Sequence, residues 1–353
     1  LEKTMHDPLL KIHDLNVHFF TDEGVVKAVD GVSLQVQRGQ TLCVVGESGC
    51  GKSVMSLAVL QIVQPPGRIV SGEIWLHHGQ SGASERVNIT NLHPKGREMR
   101  SIRGAEIAMI FQEPMTCFSY MYTVGNQIIE AILQHQSVSK HEARNQAVEL
   151  LRKVRIPHPE RLVDEYPFRL SGGMRQRAMI AMALACSPRL LIADEPTTAL
   201  DVTTQAQILD LLLDLQREDG MGLMFITHDL GVVAEIADQV AVMYLGKVVE
   251  TGTVYEIFNS PKHPYTQALL HSIPKISATR EALMAIGGMV PNPFRRPSGC
   301  PFHPRCNHAI AGLCDSHAPP LIELTPGHQV RCVLYDQQRA EQQPIAEVLV
   351  PAE

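Results

Sequence analysis

The run Gly46-Glu47-Ser48-Gly49-Cys50-Gly51-Lys52-Ser53 places three glycines, an ammonium and a hydroxyl in the spacing G-x-x-x-x-G-K-[ST]. Glycines let the backbone curl so that successive N–H groups point into one concavity, where they and a helix N-terminus meet phosphate oxygens. The ligand this chemistry implies is ATP. Lys52 is expected to neutralise its β- and γ-phosphates, and the Ser53 hydroxyl to ligate Mg²⁺. A second group is Asp194-Glu195, at the end of the apolar run Leu190-Leu191-Ile192-Ala193. Asp194 suits water-mediated Mg²⁺ binding, and Glu195 suits the base that polarises an attacking water. A third is Leu170-Ser171-Gly172-Gly173-Met174-Arg175-Gln176-Arg177, a Ser-Gly-Gly turn that opens a helix. It offers a further helix N-terminus to phosphate. One mononucleotide site needs one such cradle, and here there are two.

These groups need rigid supports. Alternation of apolar and polar residues from Leu9 to Val17, ending in a turn at Asp22-Glu23-Gly24, predicts a half-buried antiparallel strand. Strand-like runs follow at Val32–Val36, Thr41–Val45, Gly72–Leu76, Ile107–Ile110, Leu190–Ala193, Leu223–Ile226 and Gln239–Tyr244. Helix-like segments lie between them, at Ser53–Ile62, His141–Arg155, Gly172–Cys186, Thr203–Glu218 and Leu230–Ala237. Strands alternating with helices predict an α/β fold with a largely parallel core sheet and an antiparallel β portion on its N-terminal side. After His263-Pro264-Tyr265 the pattern weakens and prolines become frequent, which predicts a small loop-rich segment. The stretch beyond about Gln337 is polar and reads as a frayed tail.

Taken together, the three motifs resemble those of the ATP-binding subunits of ABC transporters, whose signature motif is LSGG. The resemblance covers the first 265 residues and implies a P-loop ABC-type ATPase domain, with a RecA-like core, an antiparallel β subdomain and a helical subdomain at about 115–185. It implies that Ser171, Gly172 and Gly173 complete the site of an opposing subunit in a head-to-tail dimer. It also assigns further positions. Phe19, with Phe20 as the fallback, sits where the family stacks an aromatic ring on adenine. Gln112 occupies the Gln-loop position and would sense Mg²⁺ and the attacking water. Ala199-Leu200-Asp201 matches the loop that crosses the dimer interface, and His228 matches the switch histidine that contacts the γ-phosphate. Glu195 and His228 are both present, so a competent hydrolytic site is expected.

Residues 178–204 and the run from His263 to Leu270 resemble the dipeptide, oligopeptide and nickel importer branch. That branch implies a second, similar ATPase subunit, two transmembrane permease subunits and, indirectly, an extracytoplasmic solute-binding protein. Two departures stand out. Thr116-Cys117-Phe118-Ser119-Tyr120-Met121 replaces the usual Thr-Ser-Leu-Asn-Pro in the segment that would face a permease, and Arg169 precedes the signature where Gln or Glu is common.

Four of the eight cysteines, Cys300, Cys306, Cys314 and Cys332, cluster late in the chain with gaps of 5, 7 and 17 residues. Two closely spaced Cys-x-x-Cys pairs, the usual structural zinc pattern, are missing. Four thiolates suffice for a [4Fe–4S] cluster, which the resemblance to the peptide-importer branch favours; zinc, reduced thiols or disulfides are the alternatives. His303, His308 and His317 are nearby alternative ligands but read first as solvated loop residues. The resulting division is an ATP-binding domain over 1–265, a four-Cys extension over 266–340 and a tail over 341–353.

Bulk properties narrow the rest. The net charge of −6 and pI near 6.2 give no global attraction to nucleic acid. No apolar run approaches the ~20 residues of a membrane span, and no signal-peptide pattern opens the chain, so a cytoplasmic location is expected, peripheral to the inner face of the bacterial plasma membrane. The function this predicts is ATP hydrolysis powering a membrane importer of di- or oligopeptides or a related small solute. The alternatives are a nickel, sugar or opine-like importer, or a soluble ABC ATPase acting on DNA or ribosomes. The last predicts a coiled-coil insertion or a tandem ATPase domain, and neither is in the sequence.

Overall fold

A computed structural model describes residues 7–77, 86–112, 117–198, 200–272 and 286–336. Residues 113–116, Ala199 and the tail beyond 336 therefore lie outside the described residues.

Two sheets carry the described structure. The first is antiparallel, with β1 (Leu10–Thr21), β2 (Gly24–Val36), β4 (Gly67–His77) and β5 (Arg86–Asn88) in the order β2-β1-β4-β5. The second has eight strands. Its parallel centre is β6 (Ile107–Ile110), β7 (Leu190–Asp194), β8 (Gly222–Thr227), β3 (Thr41–Val45) and β9 (Gln239–Tyr244). Three antiparallel strands, β10 (Lys247–Thr253), β12 (His328–Val330) and β11 (Ile322–Thr325), continue it beyond β9. The full order is β11-β12-β10-β9-β3-β8-β7-β6. β3 lies between β8 and β9, and every one of its residues is buried. A strand buried on both faces reads as a continuous apolar run, and Thr-Leu-Cys-Val-Val is one.

Period-2 alternation sends neighbouring residues of each central strand into different cores. Leu42, Val44, Ile192, Met224 and Ile226 join β1, β2, β4 and the helix Lys52–Val59 on one face. Cys43, Val45, Ala193, Leu223 and Phe225 join the other cluster, which contains the helices Val124–His135, Lys140–Lys153, Gly172–Ala183 and Val202–Asp219. The helices Val124–His135, Lys140–Lys153 and Gly172–Ala183 pack on one another beside the sheet, the helical portion expected from the resemblance. Backbone proximity helps: a Cβ on Gly125 would sit 2.4 Å from the Val163 carbonyl oxygen.

The segment after residue 265 differs from its expectation. β11 and β12 pair with each other and then with β10, so the loop-rich segment returns to extend the core sheet. A fully buried Glu250 carboxylate pins this junction. It accepts from the Lys262 N–H at 2.7 Å and the His263 N–H at 2.8 Å, and pairs with His328 Nε2 at 2.9 Å. Strands of only four and three residues carry too little periodicity to be read from sequence.

Candidate nucleotide site

The carboxyl ends of β3, β6, β7 and β8 open on one edge of the sheet, the usual position for a ligand in an open parallel sheet. Each end supplies one motif. β3 runs into the loop at Gly46–Ser53, β6 is followed by Gln112, β7 ends in Asp194 with Glu195 after it, and β8 ends at Thr227 with His228 after it.

The phosphate loop is tightly backed. Gly46 and Gly51 have φ of 151° and 100°. A Cβ on Gly46 would lie 2.2 Å from the Met243 carbonyl oxygen, and one on Gly51 would lie 2.1 Å from that of Ala28. Only glycine permits both the backbone sign and the close approach. The Lys52 side chain is buried and its ammonium donates to the carbonyls of Gly46 at 2.7 Å and Glu47 at 3.2 Å. It thus spans the loop that it would share with phosphate.

The expected Mg²⁺ and water ligands converge as well. Ser53 Oγ donates to Asp194 Oδ1 at 3.1 Å. Burial raises the pKa of Asp194, the Ser53 hydrogen bond opposes that, the adjacent Glu195 charge adds to it, and Lys52 lowers it again. A divalent cation between Ser53 and Asp194 would remove the cost of keeping that buried carboxylate charged, so the pair fits Mg²⁺. Around Glu195, Gln112 Nε2 donates to Oε2 at 3.2 Å, Thr198 Oγ1 donates to the same oxygen at 3.0 Å, and His228 Nδ1 lies 3.3 Å from it. Glu195 itself has φ of 46°, a left-handed conformation rare for a residue with a side chain, and its N–H donates to the Ile226 carbonyl at 2.9 Å. Strain of that kind persists where surrounding contacts fix the residue, and here four neighbours do so.

A cleft of about 780 Å³, counting the solvent at its mouth, joins Ser48, Gly49, Cys50, Gly51, Lys52 and Ser53 to Gln112 and Glu195. Its far wall is Val26, Lys27 and Ala28 of β2, with Leu245, Pro293 and Arg296. None of these last six was singled out from sequence, because nothing local marks them. Phe19 is not brought to this cleft. A Cβ on Gly67 would lie 2.6 Å from the Phe19 ring, which is tucked against the β4 backbone, while the half-exposed Phe20 carries the Arg68 guanidinium 4.2 Å from its ring centroid. Nor do the signature residues line it. Ser171 caps the helix Gly172–Ala183 by accepting from Met174 N–H at 3.3 Å, and Asp201 caps the helix Val202–Asp219 by accepting from Thr204 N–H at 2.9 Å. These two caps adjoin each other, since a Cβ on Gly173 would meet Thr204 at 2.8 Å. They form a second helix-terminal patch apart from the chain's own cleft.

Comparison with known proteins decides the family. The ABC transporter family model matches residues 29–198, from β2 through Glu195, and the model for the oligopeptide/dipeptide transporter C-terminal region matches residues 249–314. The dipeptide transport ATP-binding protein DppD of Escherichia coli (strain K12) is 48% identical over 324 residues, covering 92% of this chain and 96% of that protein. The oligopeptide transport ATP-binding protein AppD of Bacillus subtilis (strain 168) is 48% identical over 335 residues, covering 95% and 99%.

The chain belongs to the ABC transporter family.

As an ABC transporter ATPase it binds and hydrolyses ATP. Its fold is that of solved cassettes: the dimeric post-hydrolysis structure of the ATP-binding cassette MJ0796 with ADP and Pi aligns with a TM-score of 0.60 at 26% identity, covering 69% of this chain and 98% of that one. No helix among the described residues of this ABC subunit is long and apolar enough to cross a membrane.

The late cysteines form a second candidate site. Cys300, Cys306, Cys314 and Cys332 line one cavity, together with Phe302, Val333, Leu334 and three histidines, His263, His303 and His308. Among the described residues no three His, Cys, Asp or Glu side chains converge closely enough to hold a metal ion; the thiols surround a cavity rather than a point. Burial, with a smaller repulsion between neighbouring thiols, pushes Cys300 up to about 11 and Cys332 up to about 12. Burial thus favours the neutral thiol at Cys300 and Cys332, and a thiolate there would need a cationic centre beside it.

Proposed function

We propose that this chain is the ATP-hydrolysing subunit of an importer for di- or oligopeptides, seated on the cytoplasmic face of the plasma membrane. The observation that carries the reading is the match of residues 249–314 to the oligopeptide/dipeptide transporter C-terminal region, beside relatives named for dipeptide and oligopeptide transport. In a strain lacking this chain, uptake of labelled di- and tripeptides should fall at least tenfold and return on complementation. Undiminished peptide uptake with lost uptake of nickel or a sugar would overturn the peptide assignment.

In the proposed cycle two ATPase subunits face each other, each nucleotide lying between the loop at Gly46–Ser53 of one and Ser171-Gly172-Gly173 of the other, with Asp201 at the same interface. The separation of the signature patch from the chain's own cleft supports this arrangement. Lys52 and the loop N–H groups hold the triphosphate, and Ser53 and Asp194 would hold Mg²⁺, which screens phosphate charge. Glu195 orients the attacking water and takes its proton, Gln112 and Thr198 fix the carboxylate, and His228 reaches the γ-phosphate. Two permease subunits and, through them, an extracytoplasmic binding protein complete the assembly. Exposed Tyr120, Met121 and Tyr122 next to the helix Val124–His135 offer an apolar surface for a permease helix. We assign residues 1–265 to the ATPase domain and 266–340 to the extension.

The four cysteines are proposed to hold a [4Fe–4S] cluster. Anaerobically purified protein should contain about four iron atoms and matching labile sulfide per chain, and Cys306→Ser should lose them. Stoichiometric zinc without iron would refute the cluster.

A further inference from the structure

Glu47 is the one acidic residue in the phosphate loop, next to a site for a highly charged anion. Its neighbours from Ser48 to Ser53 line the cleft, and it does not. The carboxylate turns the other way and meets Arg305 in a two-pronged pair, Nη1 donating to Oε2 at 2.7 Å and Nη2 donating to Oε1 at 3.0 Å. The Arg305 side chain is 4% exposed. It is held from behind, with Nε donating to the Gly287 carbonyl at 2.9 Å and Nη1 donating to the Tyr244 hydroxyl at 3.3 Å. The Glu47 N–H is fixed too, donating to the Tyr265 hydroxyl at 2.9 Å.

Arg305 belongs to the turn between Cys300 and Cys306, far along the chain from the loop it touches. A second arginine of the same extension reaches the loop only through its neighbours. Arg296 donates to Asp30 Oδ2 at 3.0 Å and to the carbonyls of Lys27 and Leu245, and the next residue, Gly246, donates its N–H to the Cys50 carbonyl at 2.8 Å. The extension therefore braces the phosphate loop directly at Glu47, and at Cys50 it acts only through the turn at Leu245 and Gly246.

We propose that Arg305 is a positioning residue for nucleotide binding: by fixing the Glu47 carboxylate against the extension, it keeps that charge away from the triphosphate and holds the loop in its binding shape. The inference rests on the loop's binding of ATP and extends it. Without Arg305, an unpaired carboxylate would stand beside the phosphates, where like charges repel.

The test uses the full-length chain and the binding of Mg²⁺ with adenylyl-imidodiphosphate, a non-hydrolysable ATP analogue, alongside melting curves. Arg305→Met should weaken binding about tenfold, because the freed Glu47 charge then repels the triphosphate at close range. Adding Glu47→Gln to that variant should recover most of the loss, because the offending charge is then gone. Arg305→Lys, which keeps charge but not the fork, should fall between. A purely structural role for Arg305 would leave the double variant no better than Arg305→Met. That outcome, or wild-type affinity in both Arg305 variants, overturns the proposal, and Arg305→Lys decides it if Arg305→Met does not fold. A wild-type chain that fails to bind the analogue would instead count against the nucleotide site itself.

Discussion

Glu195→Gln is expected to lower kcat for ATP hydrolysis by about 10²–10⁴-fold while Mg-ATP stays bound. Gln has the shape of Glu, so the contacts from Gln112 and Thr198 to the second side-chain oxygen can be kept. What disappears is the ability to accept a proton from water. The bound, unhydrolysed nucleotide should then hold facing subunits closed, so the variant accumulates as an ATP-dependent dimer. Steady-state phosphate release checks the first part and size measurement with and without ATP the second. Turnover near wild type would remove Glu195 from the role of base.

Lys52→Ala is expected to act one step earlier, at binding. The Lys52 ammonium makes two contacts to loop carbonyls and is proposed to meet the β- and γ-phosphates. Hydrogen bonds to charged groups contribute roughly 1.5–3 kcal/mol each, so losing one proposed contact to each of the two phosphates weakens Mg-ATP binding on the order of a hundredfold or more. Equilibrium titration with a non-hydrolysable analogue measures this. The two variants separate the roles: one binds without turning over, the other fails to bind at physiological nucleotide. Unchanged affinity in the Lys52→Ala variant would mean that the loop N–H groups alone carry the triphosphate.

The parts of the site that were legible in sequence are those whose chemistry is local. Gly46–Ser53 combines a strand, a turn needing positive φ and a helix start, and each leaves a residue signature. The strands β3, β6 and β9 were readable to the residue because they are buried almost throughout and mostly apolar. The helix Val124–His135 was missed: it follows the atypical run Cys117–Met121, and its apolar face is recognisable only against the neighbours it packs on. β10 was missed as well, because Glu250 sits within it as a buried carboxylate whose partners come from residues 262, 263 and 328.

Phe19, expected at the adenine with Phe20 as the fallback, lies away from the cleft. Position in the chain marked it for the adenine, yet its ring packs on Gly67, and the cleft wall is built instead from β2, Leu245, Pro293 and Arg296. The Glu47–Arg305 pair had no sequence signal at all. Opposite charges separated by most of the chain become partners only when β11 and β12 return the extension to the core sheet and its cysteine-bearing loop is laid against β9.

On the proposed arrangement this chain's cleft is half a site, and Ser171 serves the nucleotide of the facing subunit. Ser171→Arg separates the two halves, with nucleotide binding measured on the isolated chain and hydrolysis in the assembled transporter. Because Ser171 lies outside the chain's own cleft, the isolated chain should bind Mg-adenylyl-imidodiphosphate with wild-type affinity. Hydrolysis should fall about tenfold or more, since the γ-phosphate in the facing site loses its second set of donors. Undiminished hydrolysis by that variant would contradict the account.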